Sequence, residues 1–152
     1  MTAAADMIRA RAGDAPATIG LILGSGLGAL ADEVTDAHVF PFADLPGFPV
    51  SGVSGHAGAV VVGMLDGVRV VLLSGRAHYY ENGDAGVMRP ALETMRALGA
   101  ERVLLTNAAG SLRDDLPPGS LMALSDHINF SGLNPLIGED TDARFTNMVD
   151  PY

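Results

Sequence analysis

Three apolar runs in this chain each stop at a cluster of small or polar residues, and that arrangement narrows the folds open to it. Ile19-Gly20-Leu21-Ile22-Leu23 runs into Gly24-Ser25-Gly26-Leu27-Gly28, and Val68-Arg69-Val70-Val71-Leu72-Leu73 runs toward Arg76-Ala77-His78-Tyr79-Tyr80-Glu81. The third, Arg102-Val103-Leu104-Leu105-Thr106, ends in Asn107-Ala108-Ala109-Gly110-Ser111. Short apolar runs bounded by turn residues read as strands. Three strand-to-loop transitions then offer backbone N–H groups, hydroxyls, a guanidinium and imidazoles together, a set suited to phosphate or a similar oxyanion.

The rest of the chain supplies elements to pack around such strands. Residues 2–12, with Ala3, Ala4, Ala5, Met7, Ile8 and Ala10, predict a short helix ended near Gly13, and 29–34 predicts a second helix after the glycines. The segment Leu45-Pro46-Gly47-Phe48-Pro49 must be loop. Two apolar runs, 59–65 and 68–74, flank Asp66-Gly67, a strong hairpin signal. A helix starting near Asp84 would place Val87, Ala91, Met95 and Leu98 on one stripe, with Pro90 restricted to its first turn or kinking it. Segments 102–106, 120–124 and 127–130 are further strand candidates, and 132–152 has little periodicity. This mixture predicts an α/β fold with a mixed central sheet and flanking helices.

Composition excludes several classes of function. At 152 residues and 48% hydrophobic content the chain is long and apolar enough for a sizeable core. Cysteine is absent, which rules out disulfides and thiolate metal sites. No run approaches the roughly 20 apolar residues of a membrane span, so no membrane partner and a cytoplasmic location are expected. All nine basic residues are arginine against 18 acidic ones, giving a net charge of -9 that repels nucleic acid. A single phosphate is different, because a local arginine outweighs the diffuse field.

The candidate residues carry competing readings. The glycines at 24, 26 and 28 let N–H groups converge on a ligand beside the Ser25 hydroxyl, and they equally suit a tight strand–helix turn. A Walker loop is excluded by the absence of lysine, and the second βαβ unit of a dinucleotide site is not found. Arg76 and His78 occupy alternate positions, as does Tyr80, so an extended segment would set a guanidinium beside an imidazole and an aromatic ring. The plainer reading is a salt-bridged arginine under an aromatic cap. His56 sits between small residues in Ser54-Gly55-His56-Ala57-Gly58, open to a ligand or simply exposed. His127 follows Asp126, an arrangement that suits structural orientation as well as catalysis. No histidine spacing suits zinc, so no metal is expected.

Taken together these elements resemble the trimeric purine nucleoside phosphorylases, over residues 19–152. The matching elements are Gly24–Gly28, Gly55-His56-Ala57-Gly58, Gly75-Arg76-Ala77-His78 with Tyr80-Glu81, Thr106-Asn107-Ala108-Ala109-Gly110, Asp126-His127-Ile128-Asn129, Asn134-Pro135-Leu136, and Arg144-Phe145 with Met148, Asp150 and Tyr152. The resemblance implies that Ser25, His56, Arg76, His78 and the Ala108 backbone N–H surround phosphate, with Arg76 and His78 catalytic. It places Tyr80 at the ribose and Phe145 in a neighbouring subunit's ribose pocket. It further implies a homotrimer that transfers a ribosyl group from a purine nucleoside to inorganic phosphate as co-substrate, with no other cofactor. Methylthioadenosine phosphorylase, or an inactive phosphate- or nucleoside-binding fragment, is the alternative. Two departures stand out: Ala77 occupies a position where many relatives carry a larger residue, and Asn82-Gly83-Asp84 replaces the usual glycine–aromatic pair. The family domain is nearly twice as long, so residues 1–152 are expected to be the N-terminal part of a single domain, an incomplete phosphorylase/hydrolase-like fold that resembles the family's N-terminal half only.

Overall fold

Thr2 opens the first helix by accepting the Ala5 amide on its hydroxyl at 3.2 Å, and Gly13, at φ 83°, closes it by donating to the Arg9 carbonyl at 2.8 Å. This helix, α1 (Ala3–Ala12), buries Ala4, Ala5 and Ile8. Arg69, the one charge inside an apolar run, explains itself here: it donates to the carbonyls of Ala12, at the end of α1, and Ala15, just beyond it.

The computed structural model describes residues 2–49, 58–149 and 152, in two units, Met1–Ala108 and Ala109–Tyr152. The first unit is built on a five-stranded sheet of β1 (Ile19–Leu23), β2 (Thr35–Pro41), β3 (Ala59–Leu65), β4 (Val68–Ser74) and β5 (Arg102–Leu105), in the order β2-β3-β4-β1-β5. β1 runs parallel to β4 and β5, while β3 is antiparallel to β2 and β4. The β3–β4 hairpin turns at Asp66 (φ 52°) and Gly67 (φ 79°), both left-handed, as a two-residue turn matched to strand twist requires.

Alternate residues of the central strands enter two cores. Ile22, Val60, Val62, Val71 and Leu73 join Ile8 of α1 and Ala91, Met95 and Leu98 on one face, whereas Leu21, Leu23, Val61, Val70 and Leu72 join Val34 on the other. Burial on both faces is why these strands read as continuous apolar runs. The helix with the apolar stripe, α3 (Arg89–Ala97), starts at Pro90's turn, where the missing N–H costs nothing, and not near Asp84 as expected, so Val87 falls in the turn before it; it buries Ala91, Thr94 and Met95. A one-turn helix, α2 (Tyr79–Asn82), precedes it and ends at Gly83 in the left-handed conformation.

Several local expectations are corrected. Residues 29–34 do not form an α-helix: a 3₁₀ turn spans Gly28–Ala31, and the chain then enters β2, which the sequence reading omitted. In β2 only Phe40 is buried, and the register shifts between Thr35 and His38, so no clean alternation marks the strand. Segments 120–124 and 127–130 form no strand; the regular element of the second unit, among the described residues, is a 3₁₀ turn at Asp142–Arg144. Short polar side chains shape that unit locally, with Asn129 accepting the Ser131 amide at 3.1 Å and Asn134 the Leu136 amide at 2.9 Å. β5 has the expected position, yet all four of its residues are exposed. Among the described residues no helix is long and apolar enough to cross a membrane.

Candidate functional site

Because β1, β4 and β5 are parallel, their carboxyl ends finish at one edge of the sheet: Leu23 lies opposite Ser74, and Ile22 opposite Leu105. The loops that follow these three strands therefore leave the sheet side by side, the usual place for a ligand in a parallel arrangement. Thr106 ties two of them together. Its hydroxyl accepts the Gly24 amide at 2.8 Å and donates to the Ile22 carbonyl at 3.0 Å. A Cβ on Gly24 would lie 2.5 Å from the Thr106 carbonyl oxygen, so this approach requires glycine.

The third loop is joined to the same point by Arg76. Its Nη1 donates to the Thr106 carbonyl at 2.6 Å, and its Nε donates to Nε2 of His78 at 3.3 Å. Gly75, at φ 103°, supplies the left-handed turn that carries the chain from β4 into this segment. Arg76 forms no ion pair with a carboxylate among the described residues, which removes the plainer reading of a salt-bridged arginine. Its half-buried guanidinium keeps donors beyond those two bonds, in the fixed fork that fits an oxyanion.

Glu81 holds His78 at two points. One carboxylate oxygen, Oε1, accepts the His78 backbone amide at 2.8 Å and lies 3.0 Å from Nδ1. With Nδ1–H directed at a carboxylate and Nε2 accepting from Arg76, the hydrogen-bond pattern assigns His78 the Nδ1–H tautomer, its Nε2 lone pair facing the guanidinium. The Tyr80 ring stacks on the imidazole at 5.0 Å and 14°, and Tyr80 itself is 76% exposed. Alternation is not what brings it there: the segment is extended only through His78, and α2 begins at Tyr79, so a helical turn folds Tyr80 back over the ring.

The remaining expected site residues are distributed unevenly. Ser25 and Ala108 are exposed in the loops after β1 and β5, at the same sheet edge as Arg76. Phe145 belongs to the second unit, where it is 73% exposed under the Arg144 guanidinium at 4.9 Å. His56 lies outside the described residues. A cavity of about 800 Å³ in the second unit is lined by His127, Asn129, Asn134 and Arg144 among others and contains none of the strand-end residues. The exposed Arg113–Asp115 pair in that unit is held by a 2.8 Å hydrogen bond, which raises the pKa of the arginine and lowers that of the carboxyl from their ordinary values. Among the described residues no group of three or more His, Asp or Glu side chains is placed to hold a metal ion.

Sequence reasoning passed over the two residues that organise the cluster, Thr106 and Glu81. A carboxylate three positions after His78 is the spacing of a reciprocal helix start, a signal available in the sequence. Thr106 carries no comparable signal, since its partners Gly24 and Arg76 are distant along the chain.

This arrangement of three loops at parallel strand ends coincides with a family match. The model of the phosphorylase superfamily matches residues 18–152. The chain belongs to that superfamily. It is similar to purine nucleoside phosphorylase 1 of Geobacillus stearothermophilus, 50% identical over 137 residues that make up 88% of this chain and 50% of that protein. The purine nucleoside phosphorylase of Mycobacterium tuberculosis is 38% identical over 150 residues, 98% of this chain and 54% of that protein. Among solved structures, a schistosoma purine nucleoside phosphorylase in complex with hypoxanthine matches with a TM-score of 0.85 at 35% identity, covering 98% of this chain and 54% of that one. A purine nucleoside phosphorylase in complex with ribose-1-phosphate matches with a TM-score of 0.67 at 38% identity, over 75% of this chain and 42% of that one.

These matches correct the expectations of a likeness to the family's N-terminal half only and of an incomplete fold. The superfamily match runs to residue 152, and the likeness to the schistosoma enzyme takes in the mixed five-stranded sheet with its flanking helices and covers 98% of the chain. The expectation rests on the length of the family domain, whereas the family likeness runs on through the aperiodic stretch after residue 132. The chain spans about half the length of the curated relatives it matches.

Proposed function

We propose that the protein is a purine nucleoside phosphorylase, a pentosyltransferase that uses inorganic phosphate to release a free purine and form ribose 1-phosphate. The observation that carries this reading is the Arg76–His78–Glu81 cluster at the carboxyl ends of parallel strands, with an arginine bonded to a carbonyl and an imidazole in place of a carboxylate. The similarity to purine nucleoside phosphorylases, one solved with hypoxanthine and one with ribose-1-phosphate, supports it and favours it over a methylthioadenosine phosphorylase.

In this reading Arg76 binds two phosphate oxygens through its fork, and His78, its ring fixed by Glu81, holds the guanidinium beside the phosphate by accepting its Nε–H on Nε2. Ser25, His56 and the Ala108 N–H complete the phosphate shell. Tyr80 lies against the ribose, and Phe145 reaches a neighbouring subunit's ribose site in a homotrimer. A phosphate oxygen forms the new bond to C1′ of the sugar as the bond from C1′ to the purine nitrogen breaks with its electron pair. The phosphate proton ends on the purine, so hydrogenphosphate and nucleoside become ribose 1-phosphate and neutral base. The dianion beside an oxocarbenium-like carbon stabilises the charge that develops there, and fixed orientation removes much of the entropic barrier. A cytoplasmic location accompanies this reading.

The test is hypoxanthine release from inosine by the purified protein with and without inorganic phosphate. Release that requires phosphate, with equimolar ribose 1-phosphate, is the expected result. Release without phosphate, or saturable nucleoside binding with no turnover, refutes it.

A further inference from the structure

Ala77 sits between the two side chains on which the phosphate reading depends, and its backbone amide has an uncommon partner. The residue is only 9% exposed, and its N–H donates to Sδ of Met88 at 3.3 Å. No carbonyl or carboxylate among the described residues takes that amide. A thioether is a weak acceptor, yet a buried N–H left without one would be costly, so the sulfur meets a need that nothing else in the loop meets.

Met88 is in turn held firmly. Its carbonyl accepts the Leu92 amide at 3.1 Å at the entry to α3, and its side chain packs against the core that contains Ala91 and Met95. The turn before it is closed by Asp84, whose Oδ1 accepts the Gly86 amide at 2.7 Å, and by the Arg89 amide donating to Gly86 at 2.8 Å. The segment after Gly75 thus has three consecutive attachments: Arg76 to β5's end, Ala77 to α3 through sulfur, and His78 to Glu81. The last two hold backbone amides, and the middle one lies between the two residues whose side chains form the site.

We propose that Met88 is a positioning residue for the Arg76–His78 site, its sulfur pinning the Ala77 amide so that guanidinium and imidazole share one geometry. The proposal rests on the phosphate reading of that site. The thioether suits the role because its flexible chain lets it reach a buried amide while filling core space.

Two variants test it, Met88→Leu, which keeps the apolar volume and removes the acceptor, and Met88→Gln, which restores an acceptor oxygen at similar reach. The readouts are hydrogen exchange at the Ala77 amide and calorimetric binding of inorganic phosphate to the purified protein. Met88→Leu should speed Ala77 exchange by about tenfold and weaken phosphate binding by about three- to tenfold, with Met88→Gln recovering most of both. Ala77 exchange and phosphate affinity unchanged in Met88→Leu, or a Gln variant no better than Leu, overturns the role of Met88 alone. Absence of phosphate binding by the unsubstituted protein overturns the phosphate reading, and this role with it.

Discussion

Arg76→Ala separates the catalytic from the structural weight of the cluster. In the unliganded protein the guanidinium makes two hydrogen bonds, to the Thr106 carbonyl at 2.6 Å and to His78 at 3.3 Å, and the residue is half-buried. Losing one good partly buried bond and one long one costs about 1 kcal/mol of stability. Loss of a charge-assisted fork on the reacting phosphate is larger, about 2–4 kcal/mol in the transition state, or roughly 30- to 900-fold in kcat/KM for phosphate. The two numbers differ enough to be measured apart. Thermal unfolding should show a modest loss of Tm, while initial rates with phosphate as the varied substrate should show the main effect. Arg76→Lys should recover the charge but not the fork, since one ammonium cannot hold the Thr106 carbonyl and two phosphate oxygens in fixed geometry, and should fall between the two. Equal losses in stability and catalysis, or unchanged phosphate dependence in Arg76→Ala, would refute the argument that this guanidinium meets phosphate.

Glu81→Gln keeps the size of the side chain but removes the charge that faces Nδ1 of His78; a loss of about 1–3 kcal/mol in kcat/KM is expected, together with a changed tautomer ratio in the ¹⁵N spectrum of the imidazole. Gly24→Ala places a Cβ 2.5 Å from the Thr106 oxygen and 2.8 Å from the Asn107 Cα, so the loops must part; a cost of about 1–3 kcal/mol in unfolding free energy is expected, and an unchanged Tm would contradict the close approach. Leu73→Ala removes a fully buried side chain from the larger core and should cost about 2–5 kcal/mol by denaturant titration. Asp115→Asn should leave Tm within about one degree, because the Arg113 partner is exposed. Since the carboxyl is lowered by that arginine, any small stabilisation is present above the ordinary carboxylate range and disappears as pH falls through the lowered value.

What the sequence disclosed follows the reach of the interactions that make each element. β1, β3 and β4 are legible because both faces of these strands are buried, so all their positions but Arg69 and Ser74 are apolar or glycine, and the turn between β3 and β4 announces itself through Asp66 and Gly67. α3 is legible because Ala91, Met95 and Leu98 face one core at helical spacing. β2 is hidden for the opposite reason: a strand with one buried side chain and a register shift has no period to read. Segments 120–124 and 127–130 carry strand-like residues, but propensity makes a strand only where an edge pairs with it, and in the second unit their polar neighbours bond locally instead.

The cluster divides along the same line. Arg76 and His78 are two residues apart, and an extended segment suffices to bring them together, so their pairing is visible in the sequence. Tyr80 is found beside them for a different reason, because the chain turns helical at Tyr79. The contacts that fix the geometry run across the chain, Thr106 to Gly24 over 82 residues, Arg76 to Thr106 over 30 and Ala77 to Met88 over 11. The first two depend on the order of strands in the sheet, and in particular on β1 lying between β4 and β5, which no local pattern encodes. The chemistry-bearing side chains are therefore readable one by one, whereas their gathering follows from topology: three parallel strands ending together set the Gly24 amide on the Thr106 hydroxyl and the Arg76 guanidinium on the Thr106 carbonyl, with guanidinium donors left over in the fork that fits an oxyanion.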